Sequence, residues 1–398
     1  MIVLLLFMTY FVIRVGRQAY TKLPGDWGVY YSAGIAMRER LPIYTLERGP
    51  MLTFKNAPVV ALAAVPLGSL PRPVARVASI LIDFTLLTAL MYLVTRLIFF
   101  DAPPKWPHAW VALAGCLLVY PFLLLQLSAG QTTVLFLACT VAGFYLAVRN
   151  HPTTAGLALA LAICLKLVPL CFVPYLLFTP RPVRAIASTI LCSAGLLLLP
   201  ALWIGWQANA ALLAQWPVHL RETNIPAQVW RLQNQGVLGQ LARRLSITDY
   251  GINVASWDLA SVRSLWLTLS VIFAGLLYAF VWRTRRDPHA RATHLALLMT
   301  FMTIFNPLAW RYNFLALAIP YAVVVASILR RPHDRLTLIL AVGSALFTPA
   351  NYDAQIYGAR LTGAVLLTAA VVSAYVNRAD DSRRPSSEPG VLGTTVSQ

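Results

Sequence analysis

Apolar runs recur from residue 2 to residue 376, separated by short polar stretches. Many of them approach the ~20 residues that a helix needs to cross a bilayer. The longest polar-leaning stretches are 17–56 and 206–260. This pattern predicts an all-α polytopic membrane protein, with residues 1–377 as one integral-membrane domain and no room for a separate soluble one. The tail 378–398 is polar and rich in Ser, Pro and Gly. It reads as disordered, and its Arg378, Arg383 and Arg384 place it in the cytoplasm.

Counting back from that tail, the apolar runs 359–376, 336–348, 314–329, 293–309 and 262–282 alternate around the basic clusters RTRRDPHAR (283–291) and RRPHDR (330–335). Basic clusters mark the cytoplasmic side, so 206–260 falls outside. The stretch 153–178 has basic residues at both ends and carries Lys166, Pro169 and Pro174. A single crossing would put one basic flank outside, so it reads as two short helices that turn near KLVP (166–169). Parity then leaves 17–76 wholly external. The run 57–70, with Pro66 inside it, becomes a re-entrant or interfacial segment. The expected count is about 12 spans, with 2–16 as a retained anchor and the N-terminus inside. The Lys and Arg residues of 17–56 argue locally for the opposite orientation. The later loops form the more coherent pattern, and a start codon upstream would reconcile the two.

Composition agrees: 59% of residues are hydrophobic and 12% charged, against roughly 25% charged in soluble domains. The net charge of +18 suits orientation signals and anionic headgroups. With no basic domain to hold it, nucleic acid is not an expected partner. The five cysteines lie in apolar runs and read as small buried hydrophobes. No nucleotide-binding loop, dinucleotide fingerprint or zinc spacing occurs, so neither metal nor cofactor is expected.

Candidate chemistry starts at Asp26, the first acid in the chain, set among Trp27, Tyr30, Tyr31 and, further on, Tyr44. An external carboxylate can serve as a general base, or equally as the N-cap of a helix over 30–40. The aromatics read as interfacial belt residues or as sugar-stacking groups. Lys166, inside an apolar run, either snorkels or pairs with an acid or phosphate. Asn234, Gln235, Arg243 and Arg244 on the loop 206–260 suit an anionic or polyhydroxylated ligand, or a solvated helix pair. Arg311, beside Trp310 and Tyr312, and Lys55 can clamp a phosphate or meet headgroups.

These pieces occur in a telling order: DWGVYYSAG (26–34), LPIY (41–44), FKNAP (54–58), VPL (65–67), Gly130–Gln131, KLVP (166–169), NQG (234–236) and NPLAW (306–310). In that order the chain resembles glycosyltransferase family 87, which includes polyprenyl-phosphate-mannose-dependent α-mannosyltransferases. The resemblance implies a GT-C-like bundle with its site on external loops. It also implies a polyprenyl-phosphate sugar donor and a glycolipid or glycan acceptor. Transfer would be inverting and metal-independent, with Asp26 as base. Donor phosphate would be held among Arg311, Lys55, Arg243, Arg244 and Lys166. Sugar or acceptor would meet Trp27, Tyr30, Tyr31, Tyr44, Gln131, Asn234, Gln235, Trp310 and Tyr312. Family members often carry His after the Trp310 position, where Arg311 and Tyr312 stand here. The expectation is therefore a hexosyltransferase, mannose first, in the inner (plasma) membrane, with its site facing out and membrane lipids around it. A lipid or lipid-linked-sugar flippase and a non-catalytic envelope-assembly subunit are the alternatives. Paired broken segments would favour the flippase, and indifference to Asp26 would favour the assembly subunit.

Overall fold

The computed structural model describes residues 25–45, 53–99, 106–223, 227–349 and 351–383, with Ile13 and Arg17. The rest of the expected anchor 2–16 and the tail from residue 384 lie outside the described residues. Every regular element among the described residues is helical. In chain order the larger ones are α1 (Gly25–Glu39), α2 (Pro58–Ala63), α3 (Val65–Gly68), α4 (Arg72–Ile98), α5 (Trp106–Leu118), α6 (Tyr120–Ala129), α7 (Thr133–Val148) and α8 (Pro152–Leu165). They continue with α9 (Pro182–Leu198), α10 (Trp206–Thr223), α11 (Val237–Leu245), α12 (Leu259–Thr284), α13 (Ala290–Ile304), α14 (Ala318–Arg330), α15 (Arg335–Phe347) and α16 (Ala359–Arg383).

Five helical segments among the described residues are long and apolar enough to cross a membrane: Arg72–Ile98, Pro182–Ile204, Leu259–Thr284, Arg311–Arg330 and Ala359–Arg378. The pair His108–Leu118 and Tyr120–Ala129 makes a sixth if taken as one span bent by 72°. The sequence reads as one apolar run over 108–125. The bend has a local cause in Pro121, which occupies the first turn of α6, where its missing N–H costs nothing but where α5 cannot continue through it. Shorter apolar helices, α7, α8, α13 and α15, fill the space between.

The layering follows from which apolar faces are covered. α13 is buried almost all round, and α7 nearly so. Both sit in the main core with the 3-10 turn Arg311–Leu317 and α14. α12 is the reverse: Leu267, Val271, Ile272, Phe273 and Leu276 are exposed. An apolar helix with an uncovered apolar face fits lipid.

The segment 57–70 holds no helix of membrane-spanning length. It folds as the two short helices α2 and α3, each with proline in its first turn, and α1 lies against them. Their approach is close because Gly34 carries no side chain: a Cβ there would lie 2.7 Å from the Ala64 carbonyl carbon. This packing fixes α1, and so Asp26, relative to the bundle.

Candidate active site

α1 begins at Gly25, which puts Asp26 inside the first turn and not ahead of it as a cap. A carboxylate there is favoured by the helix dipole. Asp26 and Tyr30 are four residues apart and share a helix face; both line a cavity of about 440 Å³. Trp27 and Tyr31 share the neighbouring face and are turned into the protein. Their rings stack at 4.9 Å, the Arg76 guanidinium lies 5.5 Å from the Trp27 ring centre, and Tyr31 donates to the Leu70 carbonyl at 2.8 Å.

Gln131 joins the two cavity-facing groups of α1. Its side-chain oxygen accepts from the Tyr30 hydroxyl at 3.4 Å, and the side chain also hydrogen-bonds Asp26. The turn that delivers it depends on Gly130, at φ +65°, a left-handed conformation that glycine adopts without strain. Arg76 holds the same turn by donating to the carbonyls of Leu127 and Ser128, the latter at 2.9 Å.

The opposite wall comes from the break after α8. The helix ends at Leu165, and Lys166 is extended, at φ −151° and ψ 137°. A short 3-10 turn, Val168–Phe172, follows. Pro169 has no N–H to give to the Leu165 carbonyl four residues back. Asn56 Nδ2 takes that place, donating to the Leu165 carbonyl at 2.5 Å. Tyr44 in turn donates to the Asn56 carbonyl at 2.9 Å, so Tyr44 positions the loop 53–56 without lining the cavity itself.

Lys166 therefore leaves the helix and presents its ammonium to the cavity. Its Nζ lies 3.3 Å from Asn313 Oδ1, 4.8 Å from the Phe136 ring centre and 5.1 Å from that of Tyr312. Lys55 lies on the same wall, with its Nζ donating to the Thr223 carbonyl at 3.1 Å and its carbonyl accepting from Trp216 Nε1 at 2.9 Å. Neither lysine comes within 4.0 Å of the Asp26 carboxylate. Both still act on it through space: burial raises the Asp26 pKa, while Gln131, Lys166 and Lys55 pull it down. Burial also lowers Lys55 to about 8, with Asp26 opposing.

The cavity thus gathers Asp26, Tyr30, Lys55, Gln131, Lys166, Trp310 and Tyr312 of the expected residues. It also gathers Asn56, Trp216 and Asn313, which sequence reasoning did not assign. Asn56 lay in the quoted motif FKNAP and Asn313 three residues beyond NPLAW, but nothing in the sequence marked them as partners of α8 and its end.

The other expected residues lie elsewhere. Arg243 is 0% exposed, and both its terminal nitrogens are engaged by backbone carbonyls: Nη1 donates to Trp230, Arg231 and Asn234 at 3.1, 2.9 and 3.0 Å, and Nη2 to Asn234 at 3.0 Å. It braces the loop after α10 and does not line the cavity. Asn234, also 0% exposed, donates to the carbonyls of Val229 and Pro307 at 2.9 Å each and accepts from Ala309 N–H at 2.9 Å. Gln235 is buried too, donating to the Gln355 carbonyl at 3.3 Å. These amides hold the segment 306–310 in place without lining the cavity. Arg244 is on the surface, bonded to the Tyr357 carbonyl at 3.0 Å, and Arg311 adjoins the cavity segment without lining it.

Residues 54–307 match the family model for glycosyltransferase family 87. The chain belongs to that family. The matched stretch contains Lys55, Gln131 and Lys166; Asp26 precedes it, and Trp310, Tyr312 and Asn313 follow. The chain is also 26% identical, over 368 residues, to the polyprenol-phosphate-mannose-dependent alpha-(1-2)-phosphatidylinositol mannoside mannosyltransferase of Mycolicibacterium smegmatis (strain ATCC 700084 / mc(2)155). The alignment covers 84% of this chain and 78% of that relative. Membership of family 87, with several apolar helices of membrane-spanning length, makes this protein a membrane glycosyltransferase.

Proposed function

We propose that the protein transfers a hexose, mannose first, from a polyprenyl-phosphate sugar to a glycolipid acceptor, with inversion, at the outer face of the plasma membrane. The observation that carries this reading is one cavity lined by a carboxylate, Asp26, and two ammonium groups, Lys55 and Lys166, that do not pair with it. The named relative, which is polyprenol-phosphate-mannose-dependent and acts on phosphatidylinositol mannoside, supports the donor and acceptor classes.

The step balances as follows. An acceptor hydroxyl oxygen bonds to the anomeric carbon of the donor sugar. The bond from that carbon to the phosphate oxygen breaks, and polyprenyl phosphate leaves with the electron pair. The hydroxyl proton passes to Asp26, whose burial makes it a stronger base than a solvated carboxylate. Lys55 and Lys166 neutralise the charge gathering on the phosphate. Tyr30 and Gln131 orient Asp26, and Trp310 and Tyr312 offer ring faces to sugar or prenyl carbon.

The face is supported by charge. Arg330, Arg331, Arg378 and the cluster at 283–291 gather at the far end of the helix that starts at Arg311. Basic ends face the cytoplasm, which leaves the Asp26 cavity outside, in a chain of about 12 crossings. The test is purified protein supplied with radiolabelled polyprenyl-phosphate mannose and a phosphatidylinositol mannoside acceptor. Labelled glycolipid should form with the wild type and not with Asp26→Asn at equal folded amounts. Wild-type turnover by Asp26→Asn would overturn the base assignment, and no product from either protein with any polyprenyl-phosphate hexose would overturn the donor class.

A further inference from the structure

A second cavity, of about 320 Å³, lies at the other end of the molecule. The helical segment Arg311–Arg330 runs from one to the other over 20 residues, which places them about 30 Å apart. Four segments enclose it: the end of α4, the start of α13, the end of α14 and the last turns of α16. Its polar wall is basic, made of Arg330, Arg331, Arg378 and His289, and its apolar wall includes Ile98, Phe99, Val323 and Ala374.

Arg331 and Arg378 are half-buried, and Arg330, though exposed, is held by its contacts. Arg330 donates to the Ile98 carbonyl at 3.0 Å and sits 4.7 Å from the Phe99 ring centre. Arg331 donates to the Arg378 carbonyl at 3.3 Å. Asp287 acts on Arg378, and Asp334 lies within reach of Arg331. Asp334 is committed to starting α15, accepting from Thr337 N–H at 3.1 Å and from its hydroxyl at 2.6 Å. Asp287 accepts from the Tyr375 hydroxyl at 3.1 Å. Burial, with the neighbouring Arg378 and Arg330, holds the His289 imidazole below its ordinary pKa against the pull of Asp287.

Three guanidinium groups around one concavity, with an apolar floor, at the ends of two helices of membrane-spanning length, match a phosphate group at headgroup depth. Guanidinium forks pair with two phosphate oxygens at once, and basic pockets between helices are suited to anionic headgroups. Arginines that only set orientation have no need to enclose a cavity. We propose that this cavity binds a phosphate group, carried by an anionic phospholipid headgroup or as free phosphate, independently of the transfer site.

The test uses the full-length protein in a zwitterionic detergent, with native mass spectrometry counting bound dioctanoyl phosphatidylglycerol, dioctanoyl phosphatidylcholine and inorganic phosphate. The wild type should bind the phosphatidylglycerol at least ten-fold more tightly than R330Q/R331Q/R378Q, with the phosphatidylcholine bound alike by both. Displacement of the lipid by millimolar inorganic phosphate would assign the site to phosphate itself; no displacement would assign it to the lipid headgroup. Equal phosphatidylglycerol affinity in wild type and triple variant would overturn the proposal. Should the triple variant not fold, Ser327→Trp fills the cavity and leaves every arginine in place. It should show the same loss, and unchanged binding by that variant would overturn the proposal as well.

Discussion

Asn313 Oδ1 lies 3.3 Å from the Lys166 ammonium, although 147 residues of chain separate the two. The cation is held by a neutral amide and by the ring faces of Phe136 and Tyr312, none of which cancels its charge. Lys166→Met should therefore lower kcat/KM for the lipid-phosphate donor by about 100-fold, and Lys166→Arg should restore part of it. Steady-state transfer with varied donor checks this; an unchanged kcat/KM in Lys166→Met would remove Lys166 from the site.

The pH profile of kcat/KM should be bell-shaped. Protonated Asp26 cannot accept the hydroxyl proton, so activity falls on the acid side, at a pH above the ordinary carboxylate range because burial raises this group. Lys55, lowered to about 8, is charged below that pH and neutral above it, so donor capture falls on the alkaline side. Gln131→Leu removes a hydrogen bond that pulls Asp26 down and should move the acid limb to higher pH. Lys55→Arg should move the alkaline limb upward, and an unmoved limb in either variant would separate that residue from the titration.

Asn56→Leu leaves the Leu165 carbonyl without its donor in a site where Pro169 cannot replace it. An orphaned buried carbonyl costs about 1–3 kcal/mol. The expected outcome is a lower Tm in detergent together with a raised KM for donor, since Lys166 leaves the helix at that carbonyl. A lowered Tm with unchanged KM would mean that the amide only stabilises the break.

Arg243→Met tests the opposite kind of residue. The guanidinium holds the carbonyls of Trp230, Arg231 and Asn234, and hydrogen bonds of charged groups contribute roughly 1.5–3 kcal/mol each. The variant should lose Tm or yield, while the folded fraction keeps kcat/KM within about two-fold, the small change expected away from the reacting atoms. A donor-specific loss at normal Tm would return Arg243 to the phosphate site.

What the sequence made legible was periodicity and breakage. The Lys166–Pro169 turn could be read from two basic flanks that a single crossing would put on opposite sides, and the structure ends α8 there. The i, i+4 relation of Asp26 and Tyr30 was not read, because the sequence set Asp26 ahead of a helix over 30–40 and the structure sets it within the first turn of α1. Direction was not legible either. Trp27 and Tyr31 are as aromatic as Tyr30, but one step round the helix turns them towards Arg76 and Leu70. Asn234, Gln235 and Arg243 have the chemistry of a ligand site, and they use it on backbone carbonyls that irregular loops leave over. Residue type records the capacity to hydrogen-bond, while the partner is set by tertiary packing. The two asparagines at the site, Asn56 and Asn313, were missed for the same reason.

The scattering of the cavity walls has a consequence for how the protein is made. Of the groups that build the site, the Asp26 carboxylate leaves the ribosome before Lys166, and Tyr312 and Asn313 come after both. Until that last segment docks, the nascent bundle carries an ammonium group without its amide and without one of its two ring faces. On the proposed function, the cavity can hold a lipid phosphate only once insertion has passed Asn313, and a chain halted before that point has no working site with which to consume donor.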